Sequence, residues 1–271
     1  MLIAVVAKLL LYVGATVVMG EATVRVRHIV PHEARDHRCD GPLLQFGWCA
    51  MCVSVALLFV KQAVDMEFAT SLHAVRVVLT QTTWGRGWTV LATFVALGAA
   101  LQVFQASVWM RAVAITGVAM SMGGLGHAAA DETWPLLSRV NDALHVLGVG
   151  VWIGGLIFVS RATSENCADV WSRFSALATI AAPVVVLTGF VASFLRLSDA
   201  SLGAIFASDY GRLLLLKIGL AVVVLAYGAA HRQCLIELGV PGQRSVRNEL
   251  WFAFAVLVVT SVLTGSAPPS E

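Results

Sequence analysis

Charged residues are scarce in this sequence. Asp, Glu, Lys and Arg together make up 13% of its 271 residues, whereas soluble domains carry about 25%. Hydrophobic residues make up 58%, and the mean hydropathy is +0.82. A chain of this composition has too little polar surface to cover a soluble domain. We therefore predict an all-α integral membrane protein.

Long polar stretches are also missing, so residues 1–271 are expected to form a single transmembrane domain. A helix needs about 20 apolar residues to cross a hydrocarbon core of about 30 Å. Runs of this kind predict a polytopic bundle of about eight transmembrane helices, with a tight turn near residues 105–108 between the third and the fourth. The runs cover residues 2–21, 43–62, 87–105, 108–125, 141–160, 174–195, 211–230 and 248–266.

The motifs of several protein classes are absent. The sequence has no glycine-rich phosphate-binding loop, no hydrolase nucleophile motif and no basic patch of the kind that binds nucleic acid. We therefore expect neither an enzyme, nor a single-chain ATP-driven pump, nor a nucleic-acid partner. The first span lacks a basic n-region and a nearby cleavage site, so we expect it to be retained rather than removed as a signal peptide.

Basic residues divide unevenly between the two sides of the predicted bundle. Short loops rich in Lys and Arg stay in the cytoplasm, and the loops after the odd-numbered spans are the more basic. Both termini are therefore expected on the outer face. The inner side would hold Arg25, Arg27, Arg35, Arg38, Arg161, Arg173, Arg232, Arg244 and Arg247, and the outer side Lys61, Arg76, Arg86, Arg139, Arg196 and Arg212.

Two similar stretches indicate an internal duplication. "TTWGRGWTVLATFVALGAA" (residues 82–100) leads into the third predicted span, and "SDYGRLLLLKIGLAVVVLA" (residues 208–226) leads into the seventh. Each has an aromatic residue followed by Gly-Arg, starting at its third position. The pair predicts a 4+4 arrangement of parallel repeats, which in transporters places the binding site near the interface of the two halves.

One short stretch concentrates chemically active side chains in an otherwise apolar chain: "MSMGGLGHAAADETWPLLSRVNDALHVLGVGVWIGG", residues 120–155. Met120, Met122 and His127 lie at the outer end of the fourth predicted span, and His145 lies at the outer end of the fifth. Thioether and imidazole groups are ligands of soft or borderline metals, above all Cu(I). Because a short loop joins the two spans, we predict that these four residues form a copper site near the outer face.

The fifth predicted span supplies neighbours for this site. Asp142 lies three residues before His145 on the same helical face, where its carboxylate would hold the second ring nitrogen. Trp152 lies seven residues after His145 on that face. Gly150 and Gly154 form a small-xxx-small pair that lets another helix approach closely. With the span beginning at residue 141, His145 is expected about 6 Å into the membrane.

Two further groups of residues carry metal-binding side chains, and each also has a simpler interpretation. Cys49 and Cys52 flank Met51 in the second span as a candidate copper relay, although buried cysteines usually act as small hydrophobic residues. The loop "RVRHIVPHEARDHRCD" holds ligands that would receive an ion on the inner side, although a basic cytoplasmic loop needs no metal to explain it. These loop ligands are His28, His32, His37 and Cys39.

Lys8 and Lys217 lie inside predicted spans, where an uncompensated charge is costly. Each lysine is expected either to extend toward the outer interface or to pair with a carboxylate near the metal route. The carboxylates on the correct side for that role are Asp131, Glu132, Asp142 and Asp209.

Four motifs occur in a specific order: "GHAAA", "DALHVLGVGVWIGGL", "RFSALA" and "YGRLLLLKIGLAVVVLA". Together they resemble the CopD copper-resistance family of bacterial inner-membrane proteins, most densely over residues 120–266. The resemblance implies an eight-span copper transport protein, generally considered an importer. It also implies a periplasmic copper-binding partner of the CopC type, and we expect no CopC-like soluble domain in this chain.

The resemblance further implies functional positions. At the inner end of the seventh span, where the family is expected to carry Asn-Arg, this sequence has His231-Arg232, so we assign no family role to His231. The residues that match the family pattern are His127, His145, Trp152, Gly154, Gly155, Arg212, Lys217 and Glu249.

Two alternative functions use the same residues. His127 and His145 are the candidate axial ligands if the protein is instead a b-type haem electron-transfer protein. A copper-binding assembly protein, which docks a chaperone without moving the ion, would need the same metal site but no route across the membrane.

Overall fold

The computed structural model describes residues 2–30, 37–66, 71–123, 134–162, 167–197 and 201–266. Every regular element in these segments is helical, which confirms the all-α prediction. The helices are α1 (Leu2–Val26), α2 (His37–Asp65), α3 (Leu72–Gln81), α4 (Thr83–Val103), α5 (Val108–Met122), α6 (Pro135–Val159), α7 (Cys167–Leu197), α8 (Leu202–Ala207), α9 (Asp209–Leu238) and α10 (Gln243–Leu263).

Seven of these helices are long and apolar enough to cross a membrane: α1, α2, α4, α6, α7, α9 and α10. α5 is equally apolar but has only 15 residues. These eight helices lie at the eight predicted runs, so the prediction of a polytopic bundle is confirmed. The turn predicted between the third and fourth runs is present, and Gln105 adopts a φ of 51° within it.

The fifth predicted span begins earlier than expected. Pro135 occupies the first turn of α6, where its missing N–H costs nothing, so the helix begins about six residues before residue 141. His145 is therefore about ten residues, or about 15 Å along the helix axis, from the first residue of α6. Its expected depth of about 6 Å in the membrane was counted from residue 141 and stays a prediction.

The helices alternate in direction, which gives the bundle two distinct ends. α1 begins at one end, where Lys8 Nζ donates a 2.6 Å hydrogen bond to the carbonyl oxygen of Thr264 after the last turn of α10. This contact supplies a donor to a helix C-terminus whose carbonyls have no partner within the helix. We call it the Lys8 end. The opposite end, where α9 finishes and α10 begins, is the His231 end.

α1 is the central helix of the bundle, in contact with α2, α5, α6 and α10. It divides the interior into two hydrophobic clusters, and each cluster contains its own set of α1 residues. One cluster joins α1 to α2, α4 and α5, and the other joins α1 to α6, α7, α9 and α10. The core is therefore organised as two four-helix halves that meet along α1 and α6.

α1 and α6 approach each other through glycine. A Cβ atom on Gly154 would lie 2.1 Å from the carbonyl oxygen of Thr16, and one on Gly20 would lie 2.1 Å from the carbonyl carbon of Gly154. Gly150 packs in the same way against Met19. The predicted small-xxx-small contact is present, and its partner is α1. Residues 150–154 form a π-helical turn within α6, a local irregularity that is common at functional sites.

The repeated aromatic-Gly-Arg motif has the same structure at both of its occurrences. Thr82 caps α4 by accepting a hydrogen bond from the N–H of Gly85, and Ser208 caps α9 by accepting one from Gly211. Each glycine lies against the short helix that precedes the cap. A Cβ atom would stand 2.1 Å from the Val78 carbonyl oxygen at the first site and 1.8 Å from the Ile205 carbonyl oxygen at the second.

Helix packing follows one order in both halves. α2 contacts α1 and α4, and α4 contacts α5; in the second half α7 contacts α6 and α9, and α9 contacts α10. The contacts that join the halves are also paired, because α5 packs on α6 as α10 packs on α1. This arrangement supports the predicted 4+4 duplication and places its interface along α1 and α6.

We expect Gly154→Ala to destabilise the bundle, because the added methyl group meets backbone rather than a flexible side chain. Overpacking of this kind costs about 1–3 kcal/mol. The measurement is the thermal unfolding midpoint in detergent. Gly219→Ala is the matched control, since a Cβ on that helical glycine has no atom within 4 Å. Equal midpoints for the two variants would contradict a tight α1–α6 contact.

Candidate functional site

A cavity of about 580 Å³ lies between α1, α6, α7, α9 and α10, with Met122 of α5 also in its wall. The wall is mainly aliphatic and aromatic. Its polar side chains are Tyr12, Thr16, His145, Ser193, Lys217 and Thr260. A mainly apolar cavity with a few convergent polar groups is the usual form of a small-ligand site. Met122, His145, Trp152 and Lys217, which the sequence singled out, therefore share one cavity.

His145 is held in one orientation by α7. Its Nδ1 lies 3.0 Å from Thr188 Oγ1, and the Thr188 hydroxyl donates to the Val184 carbonyl oxygen at 2.5 Å. Because that hydroxyl proton is already used, Nδ1–H is the donor toward Thr188, and a neutral ring keeps its lone pair on Nε2. The second nitrogen is thus available as a ligand, and the accessible part of this half-buried ring faces the cavity.

Asp142 has a different role from the predicted one. Arg196 Nη2 donates to both of its carboxylate oxygens, at 2.9 and 3.1 Å, whereas the His145 Nδ1 has Thr188 as its hydrogen-bond partner. The expectation that Asp142 orients His145 is therefore wrong, because an arginine on α7 reaches the carboxylate. The ion pair joins α6 to α7 at the Lys8 end. Both side chains are about one-fifth exposed, at 22% and 23%.

Lys217 lies in the cavity wall with His145 and is half-buried. It interacts electrostatically with Asp142 and Arg196, which makes Asp142 the nearby carboxylate that the sequence required for a lysine inside a span. Asp209, another candidate, instead pairs with Arg212 on the exposed surface. Asp131 and Glu132 are outside the described residues.

The two methionines of α5 point in different directions. Met122 is buried at 8% exposure and lines the cavity, whereas Met120 is 45% exposed on the outer surface of the bundle. Residues two apart on a helix diverge by about 200°, so only one of them can face the interior. The structure selects Met122. His127, which is both the fourth predicted ligand and the second member of the predicted haem pair, lies outside the described residues.

Trp152 closes the cavity toward the His231 end. Its side chain is buried, and its ring carbon Cζ2 flanks Gly228 of α9, at 3.2 Å from where a Cβ would stand. Glu249 Oε1 approaches the same position from the other helix, at 3.8 Å. Trp152, a cavity-lining residue, and the buried carboxylate of Glu249 thus both approach Gly228.

A second cavity, of about 720 Å³, opens at the Lys8 end. It is lined by the first turns of α1, the end of α2 and Thr264, and its charged residues are Lys8, Lys61 and Asp65. Tyr12 and Met122 lie in the walls of both cavities. These two side chains consequently form the partition between the Lys8 end and the His145 cavity.

The candidate copper relay in the second span is not assembled. Cys49 and Cys52 are free cysteines on the exposed face of α2, whereas Met51 is fully buried against Gly14 of α1. The expectation that the three act together is wrong, because Met51 faces the opposite side of the helix. No group of three or more His, Cys, Asp or Glu side chains with metal-binding geometry occurs within the described segments.

The His-rich loop is described only in part. His28 is exposed just after α1, in a left-handed conformation with φ of 48°. His32 lies outside the described residues, as do the side chains of His37 and Cys39, whose backbone begins α2. Its predicted role in receiving a metal stays a prediction.

A pair that the sequence did not identify lies at the His231 end. His231 Nδ1 is 2.8 Å from Glu249 Oε2, and the opposite ring nitrogen is 2.8 Å from Ser245 Oγ. Glu249 is 1% exposed and His231 is 8% exposed. The signal in the sequence was a glutamate at the second position of the apolar run 248–266. Its partner was set aside because His231 departs from the pattern of the resembling family.

The helices and the cavity define a multi-pass membrane protein with an imidazole- and thioether-lined centre. Residues 168–263 match the family model described as Copper resistance protein D, CopD. The copper transport protein CutJ of Bacillus subtilis (strain 168) is 28% identical over 164 residues, which cover 57% of this chain and 30% of CutJ. These matches confirm the resemblance to the CopD family. The comparison with solved structures gave no significant match.

The matched segment contains only part of the site. Lys217, Thr188 and Glu249 lie within residues 168–263, whereas Met122, His145 and Trp152 precede it. The chain spans about 30% of the length of the curated relative, so the activity of that whole protein is not transferred by similarity alone.

We expect Asp142→Asn to destabilise the protein more than Asp209→Asn, because it leaves Arg196 without its carboxylate inside the bundle. Asp209 and Arg212 are 91% and 68% exposed, which makes their pair a control of the same charge at the same end. Adding Arg196→Gln should recover part of the loss, with a coupling energy of between about 0.5 and 3 kcal/mol in a double-mutant cycle of unfolding. Additive effects would show that the two residues act separately.

Proposed function

We propose that this protein transports copper across the bacterial inner membrane, and that the copper passes as Cu(I) through the His145 cavity. The observation that carries the proposal is that Met122 and His145 line one mainly apolar cavity. Imidazole and thioether ligands suit Cu(I). The match to the CopD family and the name of the Bacillus relative point to the same ion.

The geometry suits temporary binding. His145 offers Nε2, with Nδ1 held by Thr188, and a ring fixed through its second nitrogen is the usual arrangement of a metal-binding histidine. Met122 supplies a sulfur from the wall opposite α7. A site of two or three ligands binds Cu(I) while still allowing it to leave, which a transporter requires. His127 follows the last residue of α5 by five positions in the sequence, and we propose that it completes this site.

The proposed route begins at the Lys8 end. Copper enters the larger cavity and passes the partition formed by Tyr12 and Met122 to reach His145. Trp152 is the next side chain on the route. Lys217 would repel a cation there; the nearby Asp142 carboxylate attracts Lys217 but is itself paired with Arg196.

The charge distribution supports an inward direction for this route. Arg25, Arg27, Arg161 and Arg232 belong to the His231 end, which the positive-inside rule assigns to the cytoplasm. Both termini and the Lys8 end then face the periplasm. We propose uptake from that side, with delivery of copper by a periplasmic protein of the CopC type.

The experiment is copper uptake into sealed proteoliposomes that contain the purified protein, with external copper kept as Cu(I) by a reductant. We expect His145→Ala and Met122→Leu to lower the initial rate by about a hundredfold or more at subsaturating copper, since losing even an outer-shell partner costs 10–100-fold. Met120→Leu is the matched control because its side chain lies outside the cavity, and its rate should equal that of the wild type.

Copper that binds the wild-type protein without entering the vesicles would contradict transport and favour the assembly-protein alternative. Equal losses in Met120→Leu and Met122→Leu would contradict the assignment of the cavity as the route. A Soret band in the purified protein would favour the haem alternative.

A further inference from the structure

Glu249 is among the most deeply buried side chains of the described structure. It is 1% exposed, and neither of its carboxylate oxygens has a hydrogen-bond partner in the described segments. One of them, Oε2, lies at an ion-pair distance of 2.8 Å from His231 Nδ1. An ionisable side chain placed inside a membrane is costly and usually functional. The copper route proposed above does not use this pair as a ligand set.

The Ser245 hydroxyl can serve the His231 ring in either charge state. In the neutral ring with its proton on Nδ1, Nε2 accepts from the Ser245 hydroxyl; in the charged ring, Nε2–H donates to the same oxygen. The hydroxyl only rotates between the two states. Nδ1 lies at ion-pair distance from Glu249 Oε2, which has no hydrogen-bond partner in the described segments.

The pair has a net charge that depends on this proton. With His231 protonated the ion pair is neutral overall, and without the proton it carries one negative charge. A negative charge buried among helices costs free energy unless a cation replaces the proton. A Cu(I) ion in the neighbouring cavity carries the same single positive charge as the proton.

The pair is next to the copper route. Glu249 Oε1 and Trp152 Cζ2 flank the same glycine, Gly228, and Trp152 lines the His145 cavity. The carboxylate is therefore close to a side chain of the cavity wall.

Other charges around the pair are accounted for. On α9, Arg232 donates to Thr179 of α7, and Tyr227 is a neutral ring with its centroid 6.3 Å from the His231 ring. On α10, Arg244 and Arg247 are exposed. On α1, Glu21 pairs with Arg25, and α6 presents the neutral indole of Trp152. Glu21 and Arg111 are also buried at this end, where Glu21 lies near both Arg25 and Arg111, whereas His231 is the one cation that the described contacts place against Glu249.

We propose that Glu249 and His231 hold one proton that is released as one Cu(I) ion passes, so that the protein exchanges copper for a proton. This inference rests on the proposed copper transport. The exchange is electrically neutral, since one positive charge moves in each direction, and the copper gradient supplies the driving force.

The test uses proteoliposomes that contain a fluorescent pH indicator and receive external Cu(I), with copper entry followed by radioactive label. During copper uptake by the wild type, the internal pH should rise, by one proton lost per copper gained. Glu249→Gln keeps the side-chain shape but removes the ionisable group. It should lose net uptake at least tenfold, yet retain exchange of labelled for unlabelled copper, which needs no proton release.

Glu237→Gln is the matched control, because Glu237 is an exposed carboxylate on α9 at the same end and hydrogen-bonds only to Gln233 on the same helix in the described contacts. It should behave as the wild type. Copper uptake by the wild type with constant or falling internal pH would overturn the exchange while leaving copper transport intact. Proton release that persists in Glu249→Gln would also overturn it. Absence of copper uptake by the wild type would contradict both proposals. The internal pH measured during copper uptake by the wild type tests the exchange without any variant. Misfolding of Glu249→Gln would therefore not rescue the inference.

Discussion

The rest of the structure depends on the close contact between α1 and α6. Gly20 and Gly154 bring the two backbones together at a distance that no side chain would permit, and α6 departs from regular helix there through one π-helical turn. This contact joins the two four-helix halves. Trp152 lies two residues from Gly154 and is buried in the core next to this contact. His145, about two helical turns before Trp152 on α6, lines the cavity.

The helices could be predicted from the sequence because a helix that crosses a membrane needs an uninterrupted run of about 20 apolar residues. The glycine contact was likewise visible in its spacing, and the two aromatic-Gly-Arg motifs marked helix starts that share one cap geometry. The partners of polar groups were not predictable. Arg196 is 54 residues from Asp142, and Thr188 is 43 from His145, so no local pattern links them. The sequence singled out several residues that line the cavity, but it assigned Asp142 the wrong partner.

Charge compensation explains why the ionisable residues lie where they do. At the Lys8 end, Asp142 pairs with Arg196 and also interacts electrostatically with Lys217. At the His231 end, Glu249 lies against His231. Glu21 at that end lies near both Arg25 and Arg111. Between these ends, the His145 cavity offers neutral ligands in an apolar wall. A carboxylate stabilises a cation near it, and the proposed route has Asp142, about one-fifth exposed, toward one end and the buried Glu249 toward the other.

The most direct test of the account is X-ray absorption at the copper edge for the purified protein loaded with Cu(I). The account predicts scattering from imidazole nitrogen and from a thioether sulfur in the wild type and in Met120→Leu. The nitrogen signal should weaken in His145→Ala, and the sulfur signal should disappear in Met122→Leu. A copper spectrum that is the same in the wild type, His145→Ala and Met122→Leu would show that copper binds elsewhere and would contradict the cavity as its site.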